Sequence, residues 1–164
     1  MKRYLSIVCI FVLLFCSCAA RNEERTFDIL CELIAYAGES EENSVLYSSL
    51  ADFGELGYMD EDVKKDLYGE KYIEEYFPLL EEYAICISGR QTCEIGLFKC
   101  RSRSDTDSIA QMCLERADEI KVALRGSELE EKAKAIRIEI HGRFVLFSFS
   151  DRSDEIAEYF IDLV

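Results

Sequence analysis

Residues 135–149, Ala-Ile-Arg-Ile-Glu-Ile-His-Gly-Arg-Phe-Val-Leu-Phe-Ser-Phe, decide the fold. Ile136, Ile138 and Ile140 alternate with Arg137 and Glu139, which is the two-residue period of a strand with one buried face. His141-Gly142 then predicts a two-residue turn, because Gly tolerates positive φ and His does so better than most residues. In that register Val145, Phe147 and Phe149 face the same side as the isoleucines. The pattern on both strands agrees with the turn, so this segment is a β-hairpin.

Working outward, Ser153 to Leu163 reads as a helix, with Ser153 as N-cap and Glu155 and Glu158 near its positive end. Upstream, Tyr83–Ser88 and Cys93–Cys100 read as a second hairpin around Gly89-Arg90. Ile109, Cys113, Ala117, Ile120 and Leu124 mark one face of a helix over 107–124, closed by Gly126. Near the start, Phe27, Leu30, Cys31 and Ile34 recur at helical spacing from Thr26 to Ala37, and Gly38 stops that helix. Residues 38–60 read as loop with turns. Asp60 caps a short helix over 61–68 ended by Gly69, and Pro78 argues against a long helix beyond it. The expectation is an α+β domain: a four-stranded antiparallel sheet from two hairpin–helix units, helices packed on the isoleucine face, and an N-terminal helix preceding. Residues 25–80 form a helical and loop part, and 81–164 the hairpin–helix pattern twice.

The chain has 164 residues, which allows one domain and a targeting segment. With 33 acids against 19 bases, a polyanionic partner is disfavoured, so nucleic acid is not expected. At 49% hydrophobic and 12% aromatic the chain can bury a core, which argues against disorder. Residues 1–20 have the layout of a secretory signal. Lys2 and Arg3 precede an apolar run from Tyr4 to Phe15, then small residues through Ala20. That run is shorter than the roughly 20 residues a bilayer span needs. Phe15-Cys16-Ser17-Cys18 is similar to a bacterial lipobox, which makes Cys18 the candidate lipidation site; cleavage after Ala19 or Ala20 is the alternative. Residues 21–164 are the expected exported domain. Without residues 1–20 it carries 17 bases against 33 acids, a net charge of −16. Such a domain is repelled by an anionic membrane surface, and its acidity also keeps an exported domain soluble.

Beyond the signal stand Cys31, Cys86, Cys93, Cys100 and Cys113. No C-x-x-C occurs, and His141 is the single histidine, so neither a redox motif nor a zinc site is expected. A turn centred on Gly89-Arg90 would set Cys86 directly opposite Cys93, within disulfide reach in an oxidising compartment. Carboxylate pairs such as Glu74-Glu75 and Glu81-Glu82 are numerous enough to be solvated surface, and no catalytic residue is singled out. Asp60-Glu61-Asp62 begins like a calcium loop, but Lys65 occupies the sixth position where Gly is required. No metal and no cofactor is expected. The sheet's second face is the most suggestive surface. Phe144 and Leu146 point away from the isoleucine side, beside Arg137 and Glu139. The N-terminal helix is expected to cover these four residues; left open, they would form a protein-binding face.

Certain segments carry a resemblance. They are Leu67-Tyr68-Gly69, Thr92-Cys93-Glu94-Ile95-Gly96-Leu97-Phe98-Lys99, Leu114-Glu115-Arg116, His141 to Phe147, Ser150-Asp151 and the closing helix. From Phe27 to Phe160 the chain resembles a family of small lipoprotein-like domains of unknown function from Gram-positive, mostly clostridial, bacteria. The resemblance implies a tethered extracytoplasmic domain and carries over no catalytic residues. The expected function is therefore a non-enzymatic binding module. Its N-terminal lipid would hold it on the outer face of the cell membrane, where it contacts a protein or an envelope component. The alternatives are a freely secreted domain, an envelope enzyme using carboxylates, and a redox-responsive surface protein acting through Cys86 and Cys93.

Overall fold

The computed structural model describes residues 25–38, 44–88 and 92–164. The signal segment, Cys18 and the Gly89-Arg90 turn lie outside the described residues. In chain order the elements are α1 (Thr26–Ala37), β1 (Ser44–Ser48), α2 (Glu61–Glu75), β2 (Leu80–Ser88), β3 (Glu94–Cys100), α3 (Thr106–Ala123), α4 (Glu130–Lys134), β4 (Arg137–His141), β5 (Phe144–Phe149) and α5 (Ser153–Leu163). The class is α+β, with one wholly antiparallel sheet in the order β1-β2-β3-β5-β4.

The sheet has five strands, not four. Residues 44–48 lie inside the stretch expected to be loop. Their three apolar residues are too few for a period to show, and the strand exists because β2 pairs along its whole length. The helices cover both faces. Ile85, Phe98, Val145, Phe147 and Phe149 pack with Met112, Cys113, Ala117 and Ile120 of α3, Tyr68 of α2 and Ala133 of α4. Ala84, Cys86, Ile95, Leu97 and Leu146 pack on the other face with Ile29, Leu30, Leu33 and Ile34 of α1 and Ile156, Ala157 and Phe160 of α5. The N-terminal helix thus covers the second face, as expected, and α5 joins it.

Both hairpin turns are displaced from their expected centres. His141 pairs with Phe144, so the two turn residues are Gly142 and Arg143, with Gly142 at φ 59°. In the other hairpin Cys86 stands opposite Ile95, not Cys93, because four residues separate Ser88 from Cys93. The Ser88 hydroxyl accepts from the N–H groups of Thr92 (2.9 Å) and Cys93 (3.0 Å), which ties the end of β2 to the start of β3. Each displacement moves pairs by two residues, so every side chain keeps its expected face.

The helix ends follow local chemistry. Gly38 closes α1 in the left-handed conformation at φ 73°. The Thr26 N–H and hydroxyl both donate to Glu82 (3.2 and 2.9 Å), so a β2 carboxylate caps the start of α1. Asp60 accepts from the Val63 N–H (2.8 Å) as a side-chain cap. At Gly69, φ 71° and ψ 167° interrupt α2 where a helix end was expected. Ser153 departs from expectation: it is buried, and its hydroxyl donates back to the Ser148 and Ser150 carbonyls. It secures the β5–α5 turn rather than capping the helix.

Lys99 is buried in β3, and its ammonium reaches Glu81 at 3.1 Å. Arg143 from the β4–β5 turn meets the same carboxylate at 2.6 Å. The hydrogen bond from Lys99 holds the Glu81 carboxyl below its usual pKa; burial opposes this and Arg143 adds to it. A lowered folded pKa stabilises above the ordinary carboxyl value of 4.5 and is lost as pH falls through the folded value. The urea midpoint is therefore expected to drop on acidification below that range, and to drop less steeply in Glu81→Gln. Equal slopes would contradict the assignment. Leu146→Ala is expected to cost about 2–5 kcal/mol in the same titration at neutral pH, since Leu146 is wholly enclosed between the sheet and α1 and α5.

Candidate functional site

The four residues that would have formed a binding face if left open lie on the side of the sheet that meets α1 and α5. Leu146 is wholly buried, Phe144 packs beside the α1–α5 cluster, and Arg137 pairs with Asp154 of α5. Glu139 is half-buried. Tyr36 and Tyr159 stack at 4.3 Å where α1 meets α5, and Arg152 lies over the Tyr36 ring at 4.8 Å. Leu146 is thus enclosed, Phe144 and Glu139 are partly covered, and Arg137 stays exposed beside α5. Cys86 and Cys93 are both buried on this side. Their register no longer places them directly opposite, which was the geometric reason for pairing them.

The strongest buried electrostatic feature lies on the other face. Glu94 opens β3 with only 4% of its side chain exposed, and Arg116 of α3 binds it through Nη2 at 2.8 Å and Nε at 3.3 Å. Burial alone would lower the Arg116 pKa; the Glu94 charge and hydrogen bonds outweigh it, so the net shift is upward. Arg116 also lies 6.0 Å from the centre of the Tyr68 ring. Burial pushes the Tyr68 phenol well up, and Glu94 adds to it. Burial likewise raises the Cys113 thiol well above its usual value, and that of Cys100 to about 11, which keeps both protonated and unreactive at neutral pH. A cavity of about 230 Å³ adjoins the pair, walled by Ile120, Leu124, Leu129 and Phe149. Both Glu94 oxygens accept from Arg116, so the arrangement clamps α3 to β3. Among the described residues no group of three His, Cys, Asp or Glu side chains stands where it could hold a metal ion.

The candidate site is elsewhere, at the β1 edge. A groove of about 530 Å³ runs between the first turn of α1, strand β1 and the loop that follows it. Phe27, Val45, Leu46, Leu50, Ala51 and Leu56 supply its apolar wall, with Arg25 and Asp28 at one rim. The loop is built. The Ser48 N–H donates to the Gly57 carbonyl (2.9 Å), the Leu50 N–H to the Ser48 hydroxyl (3.1 Å) and the Asp52 N–H to Glu55 (3.0 Å). The Ser49 hydroxyl accepts from the Tyr83 N–H (2.9 Å), which ties the loop to β2. Gly57 has φ 88°, and a Cβ there would lie 3.0 Å from the Leu46 carbonyl, so only glycine allows this approach. So held, the loop presents Phe53 at 87% exposure and Leu56 completely exposed, with Val45 and Leu50 half-open beside them. Large apolar side chains gathered around a groove mark a contact surface. Sequence reasoning passed over this loop because its apolar residues carry no period. The available signal was Phe53 and Leu56 set among Gly54, Gly57, Asp52 and Glu55, a polar context that does not bury them.

Comparisons with family models, curated proteins and solved structures found no match. The described residues contain no helix long and apolar enough to cross a membrane.

Arg116→Met is expected to destabilise by about 3–5 kcal/mol, because it strands a buried carboxylate. Glu94→Leu combined with Arg116→Met is expected to cost less than Arg116→Met alone. Chemical denaturation of both variants checks this, and additive losses would contradict the clamp.

Proposed function

We propose that this chain is an exported binding module, held on the outer face of the cell membrane by lipid at Cys18, and that it contacts a protein or an envelope component through the groove beside β1. One observation carries the reading: a loop pinned by its own hydrogen bonds displays Phe53 and Leu56 to solvent at the mouth of an apolar groove. Leaving two such side chains in water forgoes about 1.5–3 kcal/mol each, which a packed domain recovers only on contact. The signal layout of residues 1–20 and the resemblance to lipoprotein-like domains support export and anchoring.

Two measurements test the halves separately. The intact mass of protein taken from membranes is expected to start at Cys18 and to include acyl chains. A mass starting at Ala20 or Arg21 without lipid would refute the anchor. A photo-crosslinking residue at position 56 is expected to give adducts in the native host that one at position 122, on exposed α3 surface, does not give. Matching profiles at the two positions would refute the contact surface.

A further inference from the structure

We infer that the envelope component met by this groove is the bilayer itself. Phe53 and Leu56 would enter the lipid interface and give the domain a second, non-covalent hold beside the covalent one. The inference rests on the anchored reading above and specifies the partner of that site.

The argument is one of position. Arg25, where the described chain begins, stands on the rim of the groove. It cannot swing away, because the adjoining Thr26 is bound twice to Glu82 of β2. Six residues separate Cys18 from Arg25, so the seven steps between them reach at most about 25 Å even when fully extended. An acyl chain on Cys18 therefore confines this groove near the bilayer. The two most exposed apolar side chains of the described residues, Leu56 and Phe53, belong to the loop at this groove, and Leu56, Leu50 and Val45 line it together with Arg25. A tether raises the effective concentration of the surface next to it, so a contact too weak to hold a free domain becomes populated.

Charge refines the lipid class. Asp28, Asp52 and Glu55 are exposed around the apolar tip. Carboxylates there are repelled by anionic headgroups and not by the net-neutral zwitterionic ones. Insertion is accordingly expected to weaken as anionic lipid replaces zwitterionic lipid.

The chain contains no Trp, so Phe53→Trp supplies a single fluorophore at the tip. The full-length protein, purified from membranes with its N-terminus verified by mass, is reconstituted into phosphatidylcholine vesicles containing brominated phosphatidylcholine. Emission from Phe53→Trp is expected to shift to the blue and to be strongly quenched by bromolipid. Val122→Trp, on α3 at 64% exposure, is expected to show neither effect. Adding Leu56→Asp to Phe53→Trp is expected to abolish most of the quenching, and Leu56→Trp serves as an independent reporter at the same tip. An acylated N-terminus with both tip reporters quenched no more than Val122→Trp would overturn this inference and leave the anchor standing. An N-terminus without acyl chains would overturn the anchor and, with it, the inference.

Discussion

Strand β3 is buried at all seven of its residues, and everything else in the fold answers to that. A strand apolar on both faces cannot be satisfied by one layer of helices, whatever its neighbours do. It sits at the centre of the five, between β2 and β5, and hands each neighbour the same demand. Helices α1 and α5 close one side, and α2, α3 and α4 the other. The two polar side chains the strand carries inside are both matched: Glu94 by Arg116 and Lys99 by Glu81. Each match also fastens β3 to something else, the first to α3 and the second to β2 and the β4–β5 turn. Buried charge is costly when unpaired, so these two contacts fix α3 and the turn in place.

The sequence revealed faces more reliably than registers. Both hairpins were legible as hairpins, yet both turns fall one residue later than their glycines suggested. Nothing in a two-residue period records where the reversal occurs; it records only which side chains share a side. An even displacement preserves that, so Val145, Phe147 and Phe149 still join Ile138 in the core expected for them. The premise that depended on register, Cys86 opposite Cys93, did not survive. Helices α1 and α3 and the Gly38 stop were legible because a dozen or more residues repeat the same face and glycine ends the pattern. Strand β1 was not, because five residues cannot carry a period and its partner strand supplies the order.

The candidate site escaped for a related reason. Motif reasoning looks for residue types at fixed spacing, and the groove at the β1 edge has none. Its wall is assembled from α1, β1 and a loop, brought together by backbone hydrogen bonds and by the close approach of Gly57 to Leu46. On the face that did look suggestive, Leu146 is interior and Phe144 packs partly buried beside it. An apolar residue on the far side of a strand signals a second layer as readily as a partner. Only the count of available helices distinguishes the two, and here α1 and α5 together suffice.

Helix α5 follows every strand of the described residues, yet it shares the core of α1 through Ile156, Ala157 and Phe160, and Tyr159 stacks on Tyr36. The earliest and latest elements complete one another across more than a hundred residues. Helix α1 packs on β2 and β3, but the face it shares with α5 is finished only when the last helix has been made. Closing so long a loop is slow relative to local helix formation. The contact between α1 and α5 thus forms last, and until then part of the apolar face shared by α1, β2 and β3 stays uncovered.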